Sequence, residues 1–407
     1  MTGRLSRFLI LLALLLSVVV HNSMLLLLDF IVLIVASTAW LWGRYCLAGV
    51  SYARQFGSER LFVGEETDFW IEIVNAKPLP LTWLRTEDDF PQDLPIQRAD
   101  LKLSAHSQRH HLINVYSLRW YERVRRYYHL KGERRGAYNI GPVQIASGDL
   151  FGFQPRRILL DYHHTLLVYP KIVALEQLGL PSAKPLGDYG SERHLLDDPL
   201  RIAGARDYQA GDSVRYVHWK ATAHRGTLQT RVFDPSAAPH WMVCLNTQTL
   251  DRVYEGVVTD YLETAIVVAA SLVHAGLETR RSVGLASNSS VRRAPPWIHI
   301  AASRHSAQEL QILEALAQLV YPPLVSFENL LQLEALRLPY GASVFAVTPI
   351  VNAAIVNALL DLRNEGHPVA MITVGRQPAH PIPSSIPTHS VTRNWTDFEG
   401  LKFEFSS

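Results

Sequence analysis

Charged side chains are scarce in this sequence and are almost absent from its beginning. They make up 19% of the 407 residues, against about 25% in an average protein. Between Phe8 and Trp42 the only residue with a formal charge is Asp29. This shortage excludes an ordinary soluble N-terminal segment and predicts an apolar one that is set apart from the rest of the chain.

Cysteine and a strong net charge are also missing. The two cysteines, Cys46 and Cys244, lie far apart, which excludes a disulfide framework and a cysteine-based metal cluster. The formal net charge is +2, so the chain as a whole has no electrostatic field that favours nucleic acid. We therefore expect no nucleic-acid partner.

The common catalytic signatures are absent as well. The sequence has no phosphate-binding loop, no Gly-x-Gly-x-x-Gly, no Gly-x-Ser-x-Gly, no His-Glu-x-x-His and no Cys-x-x-Cys. We expect no catalytic residues, no cofactor and no enzymatic activity. The 17 histidines nevertheless leave room for an acid–base site of unfamiliar pattern.

Two apolar runs predict a transmembrane hairpin over residues 1–45. They cover about residues 5–21 and 24–42 and meet at a short polar turn. A spanning helix needs about 20 residues, and one continuous helix over both runs would exceed the thickness of a bilayer. Arginines flank the outer end of each run and the turn has none. The positive-inside rule therefore predicts a multi-pass protein of the cell (inner) membrane with its soluble domains in the cytoplasm.

The pattern from residue 57 to 170 predicts an antiparallel β-sandwich-like domain. Short runs of alternating polar and apolar residues, such as 67–74, are separated by prolines and glycines, which is typical of many short strands. The stretch from Arg119 to Arg135 is rich in basic residues. It contacts either anionic lipid or only solvent, and a solvent-exposed strand face is the simpler interpretation.

The stretch from Arg206 to Gly226 is the most informative part of the sequence. Gly211 and Asp212 have the character of a turn followed by a helix N-cap. Gly226 suits the position just after the end of a helix. The pattern predicts a helix of about thirteen residues between these two signals.

This stretch resembles the signature of the bacterial and archaeal family called domain of unknown function 58. Residues 134–143, 148–152 and 168–171 resemble further motifs of that family, whereas His224 departs from it because alanine is usual there. We expect the signature residues either to hold the helix against a neighbouring domain or to form a partner surface. The first role is preferred, with Trp219 packed inside, because a half-buried Asp–Arg pair is costly to break. The matching positions are Arg206, Tyr208, Gly211, Asp212, Arg215, His218, Trp219 and Lys220.

The resemblance implies a von Willebrand A-like domain and a partnership with a MoxR-type AAA+ ATPase. Strand-like and helical runs alternate from residue 236 to 380, which favours a mostly parallel sheet covered by helices. Residues 171–235 would form a linker with the signature helix, and residues 381–407 a C-terminal tail. The predicted fold class is α+β multidomain, with a transmembrane helical hairpin, an antiparallel β-sandwich-like domain and a C-terminal von Willebrand A-like α/β domain.

A metal site of the von Willebrand A type would be degenerate here. Such domains carry Asp-x-Ser-x-Ser after the first strand, where this chain has Asn246, Gln248 and Leu250. The later strand ends at Thr348 without an aspartate. Because Mg²⁺ prefers hard oxygen ligands that include carboxylates, we expect this loop to bind no metal.

These patterns favour a membrane-tethered cytoplasmic scaffold or adaptor that mediates protein–protein interaction. One alternative is a hydrolase or other enzyme with an unrecognised site near Asp212 and His218. Another is an outward-facing adhesion-type binding module, which would require the opposite membrane orientation.

Overall fold

The first element is an apolar helix, α1 (Ser23–Tyr45). Its length and its hydropathy of 2.4 suit a membrane span, and most of its large apolar side chains are exposed. Helix α1 covers the second of the two predicted apolar runs. The first run lies outside the described residues, so the hairpin stays a prediction.

The computed structural model divides the chain into two units, residues Met1–Val168 and Tyr169–Ser407. The sequence pattern instead predicts a linker before the last domain. The residues that the structure describes are 23–97, 101–103, 109–149, 155–180, 202–209, 217–233, 240–291, 295–376 and 380–401.

The first unit consists of antiparallel strands that follow α1. They form sheets in the orders β1-β3-β8-β5, β11-β10-β4-β7-β6 and β2-β12-β9. The strands are β1 Val50–Phe56, β2 Arg60–Phe62, β3 Glu66–Asn75, β4 Leu81–Pro91, β5 Ile96–Gln97, β6 Leu101–Leu103, β7 Arg109–Leu118, β8 Arg123–Lys131, β9 Gly136–Ile140, β10 Val143–Ser147, β11 Arg156–Leu160 and β12 His164–Tyr169.

One hydrophobic core joins the three sheets of this unit. Strand β3 shows the cause, since its side chains alternate between buried and more exposed positions, as the two faces of a strand require. Phe69, Ile71 and Ile73 point inward and pack with buried residues from the other two sheets. Cys46 and Leu47, which directly follow α1, belong to the same core.

Gly141 shows why the motif at residues 134–143 needs glycine. Its φ angle is +109°, which side-chain-bearing residues rarely adopt. A Cβ atom at this position would lie 2.1 Å from the carbonyl oxygen of Tyr162. Glycine at this position, between β9 and β10, therefore permits the close approach of the backbone to Tyr162.

The second unit alternates strands and helices around one six-stranded sheet. The helices are α2 Trp219–Arg225, α3 Thr259–Glu278, α4 Gln308–Ala317, α5 Phe327–Ala335 and α6 Ala353–Asn364, with 3₁₀ turns at Val253–Glu255 and Trp395–Asp397. The strands are β13 Ile202–Asp207, β14 Gln229–Phe233, β15 His240–Leu245, β16 Ser282–Ser287, β17 Ser290–Val291, β18 Ile298–Ser303, β19 Leu319–Val320, β20 Ser343–Thr348, β21 Val369–Val374 and β22 Thr388–Val391.

The order of strands in the large sheet is β18-β16-β15-β20-β21-β22. Counted along the chain, this is the order 3-2-1-4-5-6, and all neighbours are parallel except the edge strand β18. The predicted mixed α/β architecture with a mostly parallel sheet is confirmed. Strand β22 lies within the residues expected to form a C-terminal tail. The prediction of a separate tail is wrong, because residues 388–391 complete the sheet.

Helix α3 has the length and composition of a membrane span, but 67% of its apolar window is buried within the protein. Its side chains Ile266, Ala269 and Val273 are fully buried. A parallel sheet needs helices on its faces, and α3 is a helix of this kind.

Candidate functional site

The carboxyl ends of the central strands meet at one edge of the sheet. In the order 3-2-1-4-5-6 the topology reverses between β15 and β20, and such reversal points are where open α/β sheets bind ligands. Asn246 directly follows β15, Asn288 directly follows β16, and Thr348 ends β20. All three side chains are fully buried. The structure thus brings the predicted positions 246 and 348 together.

Asn246 is the centre of a hydrogen-bond network at this edge. Its Nδ2 donates to Thr348 Oγ1 at 3.0 Å. Its Oδ1 accepts from Asn288 Nδ2 at 2.9 Å and from the backbone N–H of Gln248 at 3.0 Å. Thr348 Oγ1 in turn donates to the carbonyl oxygen of Ile350 at 2.6 Å. Both ends of the Asn246 amide are therefore engaged.

Asn288 is a member of the network that sequence reasoning missed. Its Oδ1 accepts from both the backbone N–H and the hydroxyl of Thr247, at 2.9 Å and 3.0 Å. In the sequence Asn288 matches only the short Asn-x-Ser pattern of glycosylation sites, which does not point to this edge of the sheet. A usable signal was its place directly after a predicted strand of a parallel sheet, where polar residues converge.

The other two positions of the degenerate motif shape the loop after β15. Gln248 Nε2 donates to the carbonyl oxygens of Leu250 and Asp251, at 2.9 Å and 3.0 Å. Thr249 Oγ1 accepts from the backbone N–H of Val258 at 2.8 Å, just before α3. Leu250 contributes only its carbonyl oxygen to these contacts. The loop is therefore held in shape by its own side chains.

These contacts give the sheet edge a rigid, buried polar layer, the polar floor, which consists of Asn246, Thr247, Asn288 and Thr348. The Asn246 amide nitrogen is a hydrogen-bond donor, whereas a hard divalent cation needs oxygen ligands at such a position. No group of three or more His, Cys, Asp or Glu side chains that could hold a metal occurs among the described residues. The expectation that this loop binds no metal stays a prediction.

Exposed apolar side chains lie around this polar floor. Tyr254 is 78% exposed and Leu324 is 62% exposed. Their loops are braced, because Tyr321 Oη donates to the carbonyl oxygen of Val253 at 3.0 Å and the Leu324 N–H donates to the carbonyl oxygen of Asn288 at 3.2 Å. At this edge, the polar floor, whose side chains bond to one another, lies beside an apolar rim that consists of Tyr254 and Leu324.

The signature stretch forms a shorter helix than its pattern predicts. Helix α2 begins at Trp219, and its N-cap is His218, whose Nδ1 accepts from the Ala221 N–H at 3.1 Å. The predicted start after Asp212 is wrong because Val217 forms a β-bridge with Thr230. The predicted end is confirmed, since Gly226 is the C-cap in the left-handed conformation.

The residues that hold α2 in place differ from the predicted ones. Trp219 is 64% exposed, so its predicted internal packing is wrong. Instead, the backbone of fully buried Gln229 makes the contacts. Its backbone carbonyl oxygen accepts from the His218 N–H at 2.8 Å, and its backbone N–H donates to Thr222 Oγ1 at 3.0 Å. Val217 is buried beside them. Sequence reasoning missed Gln229 and Thr222 because neither belongs to the signature.

The remaining signature positions divide into two groups. Arg206, Tyr208 and Lys220 are exposed or half-buried and lie on or near the β13–β14 hairpin and α2. Gly211, Asp212 and Arg215 lie outside the described residues, so the predicted Asp–Arg pair stays a prediction.

Both cysteine side chains are free and buried. Burial raises the pKa of the Cys244 thiol well above its ordinary value, and the nearby Glu334 carboxylate adds to the rise. A reactive thiolate needs a lowered pKa and access to solvent. Cys244 is therefore a core residue of β15.

Comparisons with known proteins give partial similarities. Among solved structures, the CARDB domain of the PF1109 protein from Pyrococcus furiosus is 8% identical, with a TM-score of 0.20 over 29% of this chain and 91% of that chain. The sporulation control protein Spo0M from Bacillus subtilis is 9% identical, with a TM-score of 0.19 over 30% of this chain and 49% of that chain. Similarities this weak carry no functional argument.

Two sequence similarities are more informative. The uncharacterized protein YeaD of Bacillus subtilis is 25% identical over 250 residues, which cover 61% of this chain and 58% of YeaD. This chain therefore spans less than two thirds of that relative. The family described as protein of unknown function DUF58 matches residues 204–318, the stretch from β13 to the end of α4 that contains the signature, Asn246 and Asn288.

Proposed function

We propose that this protein is a membrane-tethered scaffold or adaptor that binds a protein partner at the carboxyl edge of its six-stranded sheet. Helix α1 belongs to the anchor in the cell membrane, and both units lie in the cytoplasm. The observation that carries the proposal is the closed hydrogen-bond network around Asn246, with the exposed rim of Tyr254 and Leu324 beside it.

The chemistry of this edge suits a protein partner. Hot spots of protein interfaces are enriched in aromatic residues that stand on a well-packed surface. Tyr254 is such a residue, and its hydroxyl accepts a hydrogen bond from Arg252 Nη1 at 2.7 Å. Because the buried polar groups below are paired with one another, a partner gains by covering the apolar rim and leaves no buried polar group unsatisfied.

The strand order supports a von Willebrand A-like domain for the second unit. The order 3-2-1-4-5-6, the antiparallel third strand and the polar loop after the first strand are the features that support it. From the family resemblance, the partner of this proposal is a MoxR-type AAA+ ATPase. The scaffold would recognise it without a metal ion, since Asn246 and Thr348 bond to each other.

The enzymatic alternative centres on His218 and Asp212. In α2 the Nδ1 atom of His218 already accepts a hydrogen bond as the helix N-cap, which leaves only Nε2 for proton transfer. This occupied nitrogen supports a structural role for His218. The outward-facing adhesion module would need the opposite orientation of α1, against the arginine flanks.

Replacement of Tyr254 tests the proposal. The full-length protein in detergent and a purified MoxR-type ATPase from the same organism are the two components, and Tyr254→Ala should weaken their binding at least tenfold, or about 1.4 kcal/mol. Tyr340→Ala is the matched control, because Tyr340 is similarly exposed, at 70%, but lies before β20, at the amino edge of the sheet. Equal affinities of both variants and the parent would reject this edge as the partner surface.

A further inference from the structure

Two adjacent aromatic side chains are exposed in the loop between β7 and β8. Trp120 is 65% exposed and Tyr121 is 68% exposed. Tyr121 has a φ angle of 51°, in the left-handed region that disfavours every residue with a Cβ atom. An aromatic pair kept in solvent at a strained backbone position indicates a surface that something covers.

This loop, residues 119–122, is held rigidly by a fully buried asparagine. Asn75 Nδ2 donates to the carbonyl oxygen of Arg119 at 2.8 Å, and the Asn75 N–H donates to that of Glu122 at 2.9 Å. The Tyr121 N–H donates to the carbonyl oxygen of Lys77 at 3.2 Å. These bonds therefore fix the backbone that carries the two exposed aromatic rings.

The same segment holds the end of α1. The Ala76 N–H donates to the carbonyl oxygen of Gly49 at 2.8 Å, and Lys77 Nζ donates to that of Cys46 at 2.8 Å. Lys77 thus bonds both to the residue that follows α1 and to Tyr121. Trp120 and Tyr121 consequently lie at the end of the first unit from which α1 leaves.

Basic side chains surround this end of the unit. Arg44, Arg119 and Arg123 are exposed, and Arg156 Nη1 donates to the carbonyl oxygen of Arg44 at 2.7 Å. Two carboxylates of the described residues contact this basic group. The Glu122 carboxylate accepts from the Arg119 N–H at 2.5 Å.

Glu72 provides the second of these carboxylates. Its carboxylate pairs with Arg125 at 2.5 Å and lies 3.7 Å from Arg123. The basic groups outnumber these two carboxylates, so the surface is complementary to an anionic one.

We propose that the loop of residues 119–122 lies in the headgroup region of the membrane and binds anionic lipid beside the end of α1. Tryptophan and tyrosine favour the membrane–water interface, and arginines near a membrane are drawn to anionic lipid. A bilayer fits better than a protein partner because the loop is bonded to the residues that leave the apolar helix. This inference deepens the proposed function and rests on its membrane tether.

Spin labels in the full-length protein in vesicles test the proposal. The labels are placed singly by Tyr121→Cys in the loop, Val32→Cys within α1 and Lys131→Cys at the far end of β8; the native cysteines are buried. In vesicles that contain phosphatidylglycerol, the ratio of oxygen to nickel-chelate accessibility should be several-fold higher at 121 than at 131. The ratio at 121 should fall in pure phosphatidylcholine and on adding Trp120→Ala.

The three labels separate the possible failures. Equal ratios at 121 and 131 with a deeply buried label at 32 would overturn the lipid contact and leave the α1 tether intact. A water-exposed label at 32 with a protected label at 121 would reject α1 as a span and support the loop as a membrane contact. Protection at 121 that persists in lipid-free micelles and depends on protein concentration would assign the loop to a second copy of the chain.

Discussion

The Asn246 amide donates a hydrogen bond to the Thr348 hydroxyl, 3.0 Å away, across the boundary between β15 and β20. The two residues are separated by 102 positions in the chain, yet their bond joins the ends of the two strands between which the sheet reverses its topology. A donor at position 246 is what this contact requires, because the Thr348 hydroxyl hydrogen is already directed at Ile350.

We expect Asn246→Asp to destabilise the second unit. The change replaces the donor that faces Thr348 by an acceptor and buries a charge, which should lower the free energy of unfolding by about 1–3 kcal/mol at pH 8. Burial raises the folded-state pKa of such a carboxyl above its unfolded value, so its neutral form is favoured in the fold. Stability should therefore be highest at low pH and decline as pH rises through the folded-state pKa. Hydrogen exchange of the β15 and β20 amides measures the effect.

Gln248→Glu is the matched control for this variant. It makes the same change from amide to acid on a half-buried side chain of the same loop, and its effect should be smaller. We also expect neither the parent protein nor Asn246→Asp to gain stability from millimolar Mg²⁺. A gain for the parent would contradict the metal-free loop.

A buried ion pair in the first unit should be costly to break. Arg54 Nη1 and Asp88 Oδ1 are 2.5 Å apart, and neither side chain is exposed. Arg54→Met should lower the free energy of unfolding at pH 7 by about 3–5 kcal/mol, because it leaves the Asp88 carboxylate buried without a counter-charge. Glu72→Gln, which breaks a pair with the half-exposed Arg125, should cost about 0–1 kcal/mol. Equal losses in hydrogen exchange would contradict the difference in burial.

The same pair should control how stability depends on pH. Burial raises the pKa of Asp88, while Arg54 and the Tyr52 hydroxyl oppose the rise. A folded-state pKa above the unfolded value means that the contribution of Asp88 to stability is greatest at low pH and falls as pH increases. Arg54→Met removes the opposing charge, so its stability should fall more steeply than that of the parent from about pH 4 to pH 7. Parallel pH profiles would show that Arg54 does not stabilise the carboxylate.

Substitutions of Trp219 and Gln229 should distinguish a surface residue of the signature segment from a residue that supports the segment. Exposed Trp219 can be replaced by alanine with a loss of no more than about 0.5 kcal/mol. Gln229→Ala should cost about 1–3 kcal/mol, because buried Gln229 also donates to Asp207 Oδ1 and to Thr227 Oγ1. Hydrogen exchange of β14 reports both changes. If Trp219→Ala proved as damaging as Gln229→Ala, Trp219 would have to pack inside after all.

The orientation of the membrane anchor predicts an asymmetric labelling pattern. A cysteine introduced by Ser23→Cys should react with an impermeant thiol reagent on intact cells, because the turn lacks the positive charges that keep a segment inside. A cysteine introduced by Ser407→Cys should react only after the cells are opened. The buried native cysteines give little background. Labelling at 407 on intact cells would reverse the orientation.

Much of the second unit could be predicted because its strands are short apolar runs between helical patterns. The apolar run at residues 241–245 covers nearly all of β15, and the run at residues 369–374 coincides with β21. The sequence predicts too long a helix α2, because Gly211 and Asp212 have the local features of a helix start. Contacts with β14, made by Val217 and His218, overrode that signal.

The sequence by itself determined that residues 57–170 are rich in short strands and that strands and helices alternate from residue 236 to 380, because hydrophobic periodicity acts within a few residues. It also determined that position 246 lacks a carboxylate. Only the tertiary structure decided that Asn246, Asn288 and Thr348 bond to one another, and that Lys77 joins the end of α1 to the loop of Trp120 and Tyr121. These contacts join residues far apart in the chain, and their geometry depends on how strands are ordered in a sheet, which no local pattern encodes.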